Sequence, residues 1–312
     1  MDGGPRLAHL AIKGMAICRR FQKMLHRSPS RLLGNHPTCR PHRRRKLCGI
    51  DLMDLSVVIP VKNEADNIAP VVGQISAVLG GLVEYEILYV DDGSNDATAS
   101  EISRLAAKNP QVRLLRHRRS YGQSAAICTG VRAARAAWIA TLDGDGQNDP
   151  ADIPAMWRLA RQASASPPLL IAGYRERRQD SWSKRWASRL ANAIRGRLLG
   201  DRTPDTGCGL KLFPRSLFLD LPHFDHMHRF LPALVLREEG TVLSVPVNHR
   251  PRRRGESKYG VFDRLGVGII DLFGVMWLQR RPARPRLCDE VELEADIAAS
   301  PDPPLSAVST LS

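Results

Sequence analysis

The stretch Trp138-Ile139-Ala140-Thr141-Leu142-Asp143-Gly144-Asp145-Gly146-Gln147-Asn148-Asp149 decides the fold. Its first five residues are apolar or β-branched and carry no charge, the composition of a strand buried on both faces of a parallel sheet. The run then stops on two carboxylates. In open α/β sheets, ligands sit beyond the ends of such strands. Gly144 separates Asp143 from Asp145 and lets the backbone bend tightly, so both carboxylates can turn toward one point. Hard oxygen ligands converging there suit Mg²⁺ or Mn²⁺ carried with a phosphorylated substrate. An isolated Asp-x-Asp also fits a plain polar turn after a core strand. What outweighs that reading is a second acidic strand end.

It lies in Tyr85-Glu86-Ile87-Leu88-Tyr89-Val90-Asp91-Asp92-Gly93-Ser94, another apolar run that ends in two aspartates and a glycine turn. Asn95-Asp96 follow and can cap a helix beginning near Ala97. Two parallel strands ending in acid put both clusters on one edge of a sheet, where a shared nucleotide site explains them together. The rest of the chain keeps this rhythm. Leu55-Ser56-Val57-Val58-Ile59-Pro60 reads as the first strand, and a helix follows with apolar residues at Ile68, Val71, Val72, Ile75 and Val78. Strand 86–90 leads to a helix near 97–107, strand 112–115 to one near 121–136, and strand 138–142 to one near 151–163. Strands alternating with helices of this length predict βαβ units in a mostly parallel α/β sheet. After the first strand stand Val61-Lys62-Asn63-Glu64 instead of a glycine-rich dinucleotide fingerprint, which argues against a nicotinamide enzyme.

The formal charge of +14 is uneven, because residues 1–52 hold twelve Lys/Arg against two acids, about +10, leaving about +4 for the remainder. The excess gives no reason to expect a nucleic-acid partner. Residues 1–52, rich in Arg, His and Pro, read as a disordered extension: either a basic arm held to anionic lipid, or the product of an upstream start that is not used, with Met53 beginning the compact domain. Six cysteines, at 18, 39, 48, 128, 208 and 288, form no paired framework, and His36, Cys39, His42 and Cys48 fit no usual zinc spacing. No apolar run reaches the length of a bilayer span, and Lys13, Arg19 and Arg20 interrupt anything like a signal sequence. A peripheral protein on the cytoplasmic face of the plasma membrane is expected.

Val58-Ile59-Pro60-Val61-Lys62-Asn63-Glu64, Val90-Asp91-Asp92-Gly93-Ser94 and Asp143-Gly144-Asp145-Gly146-Gln147, in this order and at these intervals, closely resemble the family 2 glycosyltransferases of GT-A fold. More narrowly, residues 54 to 280 look like the polyprenyl-phosphate glycosyltransferases. The resemblance implies transfer of a sugar from a nucleotide-diphosphate sugar to a polyprenyl phosphate, with inversion and a divalent ion, in cell-envelope glycan or lipopolysaccharide modification. Pro60, Lys62, Glu64, Val90 and Asp92 would line the nucleotide pocket, with Lys62 where many relatives have tyrosine; Val90 is equally read as a core strand residue. Asp143, with Gly144 beside it, would face ribose or phosphate, and Asp145 and Gln147 would hold Mg²⁺ or Mn²⁺.

The second half carries the acceptor side. Leu169 to Gly173 is a buried strand that delivers Arg175, which matches the family arginine for the acceptor phosphate. Asp205-Thr206-Gly207-Cys208-Gly209-Leu210-Lys211 resembles the acceptor motif; Asp205 would orient phosphate or sugar, or cap a helix. Arg252 and Lys258 match an Arg-x-x-Gly-x-Ser-Lys element and would grip the diphosphate, in a loop able to close over the donor. Ser181 to Leu199 is amphipathic, with Trp182 and Trp186 either in a membrane interface or packed inward. Phe262, Leu265, Ile269, Leu272, Phe273, Met276 and Trp277 form an apolar face for the membrane surface.

The expected layout is therefore a basic extension over 1–53, a GT-A domain over 54–250, a basic loop and interfacial helix over 251–281, and a disordered tail over 282–312. A membrane-protein partner is a further candidate. Two rival readings stand beside this one. In the first, the same fold glycosylates a lipid or glycan hydroxyl with Asp205 as base; in the second, it is a non-catalytic membrane scaffold.

Overall fold

The structure is a computed structural model that describes residues 46–47, 50–51, 53–163, 167–175, 195–201, 203–251 and 261–281. The chain divides into two units, Met1–Arg44 and Arg45–Ser312, and every described residue belongs to the second. Within the stretch read as a disordered extension, β1 (Lys46–Leu47) and β2 (Ile50–Asp51) pair as a short antiparallel ladder.

The main sheet has seven strands: β3 (Leu55–Val61), β4 (Tyr85–Asp91), β5 (Val112–Arg116), β6 (Trp138–Thr141), β7 (Leu169–Arg175), β8 (Lys211–Pro214) and β9 (Thr241–Val247). Their order is β5-β4-β3-β6-β8-β7-β9. Six run one way, and β8 alone is antiparallel to both of its neighbours. The two acidic strands therefore flank β3, which pairs Leu55 with Tyr85 of β4 and with Trp138 of β6. This is where the strand order changes direction, the place at which α/β sheets open a crevice.

The pleat of β3 explains why the sheet is covered on both sides. Val57 and Ile59 face one apolar layer, which the helix Ala65–Leu79 completes with Ile68, Val71, Val72, Ile75 and Leu79. Val58 faces the other, built from the helices Gln123–Ala133, Arg215–Asp220 and Leu231–Arg237. Period-two strands and period-3.6 helices thus bury their stripes against each other.

The GT-A expectation is met in this mostly parallel sheet. Three helices shorten relative to the sequence reading, to Thr98–Ala106, Gln123–Ala133 and Ile153–Gln162, the last preceded by a 3₁₀ turn at Pro150–Asp152. Asp149 caps that turn by accepting from the Ala151 N–H at 3.0 Å. β8 is an addition: four residues beginning in Lys211 and ending in Pro214 give no strand signal by themselves, and pairing with β6 and β7 is what makes them one.

The helix Val261–Gln279 packs Leu272, Val275, Met276 and Leu278 against the second layer. Ile269, Ile270, Phe273 and Trp277 point outward, with Phe273 62% and Trp277 59% exposed. The apolar surface read as one face is thus two, one docked and one bare. Among the described residues no helix is long and apolar enough to cross a membrane. Most of the amphipathic stretch 181–199, the basic loop with Arg252 and Lys258, the side chains of Phe262 and Leu265, and the tail from 282 lie outside the described residues.

Candidate active site

The ends of β3, β4 and β6 meet at one edge. The Asp92 N–H donates to the Val61 carbonyl at 2.9 Å. A Cβ on Gly144 would lie 2.9 Å from the Pro60 carbonyl and 2.4 Å from a Val61 methyl, so only glycine lets the turn after β6 lie against the end of β3. Pro60, Asp92, Asp143 and Gly144 are thereby brought together. Lys62 is exposed beside them, whereas Val90 is fully buried in β4 and serves the core. Glu64 sits at the start of the following helix, where its carboxylate accepts from Asn67 Nδ2 at 2.6 Å and its N–H donates to Thr98 Oγ1 at 2.9 Å.

Asp92 is saturated by the loop after β5. It accepts from the Tyr121 and Gly122 N–H groups at 2.8 and 2.9 Å, from Ser120 Oγ at 2.7 Å and from His117 Nδ1 at 2.8 Å. Burial pushes its pKa up, but the bonds from Tyr121, His117, Ser120 and Gly122 outweigh that and hold it below the usual range. Its role here is to fix that loop, and the loop aims Gln123 at the site. Gln123 Nε2 donates to Asp143 Oδ1 at 2.8 Å. The sequence reading did not single out Gln123, whose only signal is its place at the start of a helix following a strand.

Asp143 is desolvated and stands near the Asp145 charge, which together raise its pKa to about 6 against the opposing pull of Lys211, Gln123 and Arg175. Asp145 Oδ1 accepts from the Gln147 N–H at 3.1 Å, closing the turn. Crowded carboxylates with an amide on the same turn fit a hard divalent cation, whose charge would offset theirs. Among the described residues no group of three or more His, Cys, Asp or Glu gathers as a metal cluster. This donor set therefore suits an ion shared with substrate oxygens rather than one caged by protein.

The acceptor motif closes on the same point. A Cβ on Gly209 would fall 2.2 to 2.3 Å from the Asp143 carboxylate, and Thr141 Oγ1 donates to the Gly209 carbonyl at 2.7 Å. Arg175, at the end of β7, grips Asp205 through Nε at 2.6 Å and NH2 at 3.0 Å. Lys211, the first residue of β8, is buried and donates to the Thr206 carbonyl at 3.4 Å and to the Cys208 carbonyl. Burial keeps its ammonium pKa below the ordinary lysine value. The Arg175–Asp205 pair borders Gly207, where a Cβ would lie 3.3 Å from the arginine and 3.5 Å from Asp205 Oδ1, two residues before the glycine that abuts Asp143.

A GT-A sheet with a carboxylate turn on one side of its crevice and an arginine–aspartate pair on the other defines a sugar-nucleotide-dependent transferase. Residues 56–221 match the glycosyl transferase family 2 domain, and the chain belongs to that family. It is 34% identical over 241 residues to a dodecaprenyl-phosphate galacturonate synthase of Rhizobium johnstonii, covering 76% of this chain and 70% of the relative. It is 37% identical over 216 residues to an undecaprenyl-phosphate 4-deoxy-4-formamido-L-arabinose transferase of Edwardsiella ictaluri, covering 68% and 65%. The chain thus spans about two thirds of the length of these curated relatives. In fold it is similar to glucosyl-3-phosphoglycerate synthase from Mycobacterium tuberculosis, solved with Mn²⁺, uridine-diphosphate-glucose and phosphoglyceric acid. There the TM-score is 0.52 at 18% identity, covering 74% of this chain and 81% of that one.

Proposed function

We propose that the chain transfers one sugar from a nucleotide-diphosphate sugar to a polyprenyl phosphate, with inversion at the anomeric carbon, in modification of cell-envelope glycan or lipopolysaccharide. The observation that carries the acceptor assignment is the Arg175–Asp205 pair at the end of β7, set against Gly207, two residues before the glycine that abuts Asp143. Both curated relatives bear polyprenyl phosphate in their names. A guanidinium that already binds one oxyanion is suited to a phosphate monoester.

In this reading a phosphate oxygen attacks the anomeric carbon, and the bond to the nucleoside diphosphate breaks with its electron pair leaving on the diphosphate. The phosphate nucleophile is ionised at neutral pH, so no strong general base is needed. Arg175 orients it, and Asp205 holds Arg175. Engagement with Arg175 makes Asp205 a poor candidate for the base of the hydroxyl-acceptor reading. Asp145 and Gln147 would hold a divalent ion, Mg²⁺ or Mn²⁺, which supplies positive charge against the departing diphosphate. Arg252 and Lys258 would add to it from the basic loop.

The bare apolar stripe of the helix Val261–Gln279 supports a peripheral seat on the cytoplasmic membrane surface, where a polyprenyl tail is reachable. A membrane-protein partner could share that seat. The test is product mass after offering a panel of nucleotide sugars with undecaprenyl phosphate or undecaprenol. A glycosyl phosphodiester from the phosphate, lost in Asp145→Ala and in EDTA, is expected. Product from the alcohol with none from the phosphate rejects the acceptor, and no product from any donor returns the scaffold reading.

A further inference from the structure

The turn that carries Asp145 and Gln147 has no ladder or helix of its own from 143 to 149, so something else must hold its shape. Part of that support is internal: Asn148, buried, accepts from the Asp143 N–H at 3.0 Å. Further support comes from a residue a hundred positions away. The Arg250 N–H donates to the Gln147 carbonyl at 2.9 Å, and Gln147 Nε2 lies 3.5 Å from the Arg250 carbonyl. The Arg250 guanidinium then forks, with NH2 on Asp149 Oδ1 at 2.6 Å and NH1 on Gln74 Oε1 at 2.8 Å. Asn148 and His249 form an antiparallel bridge between these contacts. Arg250 thus clasps the turn on both sides of Asn148 and ties it to the helix Ala65–Leu79.

We propose that Arg250 is a positioning residue for the metal-holding turn, setting the place of Gln147 and through it the affinity of the site for a divalent ion. The inference rests on the metal reading given above. Its physical basis is that an amide donating its N–H₂ toward the Arg250 carbonyl turns its oxygen the other way, the orientation a cation ligand requires. The planar fork also matters: two side-chain acceptors on different elements are reached by two nitrogens of one rigid group, which a lysine cannot reproduce. Asn248, two residues earlier, supplies an internal comparison. It joins neighbouring segments by bonds to Asp152, at 2.7 Å from its N–H and 3.2 Å from Nδ2, three residues beyond Asp149.

The experiment measures Mn²⁺ binding to the full chain in the presence of uridine diphosphate by the electron paramagnetic resonance signal of free Mn²⁺, without turnover. Arg250→Ala is expected to weaken Mn²⁺ binding about tenfold or more, the usual effect of removing a group that orients a metal ligand. Arg250→Lys should fall between, and Asn248→Ala should bind as the unaltered chain does. In transfer assays the Mn²⁺ concentration for half activation should rise with Arg250→Ala while kcat at saturating metal largely recovers. If Arg250→Ala does not fold, Gln74→Ala, which removes one arm of the fork, should still weaken Mn²⁺ binding. Unchanged Mn²⁺ affinity in Arg250→Ala, or in Gln74→Ala when that variant is needed, overturns the proposal, as does equal weakening by Asn248→Ala. If the unaltered chain binds no Mn²⁺ with the nucleotide, the metal reading itself falls with it.

Discussion

Arg175 and Asp205 share two side-chain hydrogen bonds and a third from the Arg175 N–H at 3.4 Å, and both side chains are largely shielded from solvent, so neither is simply available to a third partner. An incoming phosphate would add its oxyanion to an arginine already oriented. Bonds of this charged kind are worth about 1.5 to 3 kcal/mol. Arg175→Ala should therefore raise KM for undecaprenyl phosphate roughly ten- to hundredfold at that scale, with a smaller change in donor KM, measured by initial rates over both substrates. A second residue with a legible consequence is His228, half-buried near Lys211, Arg229 and His226, with Nδ1 2.7 Å from Ser124 Oγ. Burial, with Lys211, Arg229 and His226 adding to it, lowers its pKa to about 3. The unfolded chain binds this proton near pH 6.5 and the folded chain does not, so stability is lost as pH falls from 6.5 toward 3. The slope approaches about 1.4 kcal/mol per pH unit. Urea unfolding at pH 7 and pH 5 should show a smaller pH difference in His228→Gln than in the unaltered chain.

The terminal helix Val261–Gln279 makes its own prediction, because it is apolar on two sides and only one of them is docked. Ile269, Phe273 and Trp277 recur every four residues along the bare side, and Arg281 lies 5.8 Å over the Trp277 ring. Phe273 and Trp277 are each worth about 1.5 to 3 kcal/mol on transfer out of water. Phe273→Glu with Trp277→Glu should release the protein from anionic vesicles in a sedimentation assay while leaving its thermal midpoint near that of the unaltered chain. At this scale the sequence spoke plainly wherever an element was long and periodic. The strands leading into Asp91-Asp92 and toward Asp143, and the helix over Ile68 to Val78, are patterns of one chain segment, and the structure contains them. β8 was hidden, because Lys211 is buried by its neighbours rather than by its own character. The contacts of Gln123 with Asp143, Asn148 with His249 and Arg250 with Gln147 were hidden for a related reason: each is a meeting of separate segments, and no local spacing encodes it.

For the molecule as a whole, the division of charge is the clearest handle. Removing residues 1–52 takes away about +10 and leaves every element of the main sheet intact. A chain beginning at Met53 should keep its kcat and still sediment with anionic vesicles through the bare stripe; loss of vesicle binding at low salt would assign attachment to the basic segment. The reversed strand has an effect that reaches further. Because β8 runs against its neighbours, the chain arrives at it on the edge where β6 and β7 depart, and the acceptor motif is the approach to a strand rather than its exit. Arg175 and Asp205, on the two sides of that approach, are joined at this edge by one ion pair. The rungs between β3, β4 and β6 are formed by residues outside the interval between that pair. If the acceptor side is set by that interval, its exchange separates acceptor choice from donor choice: a chimaera carrying another family member's residues 176–204 should inherit that member's lipid while keeping this chain's sugar.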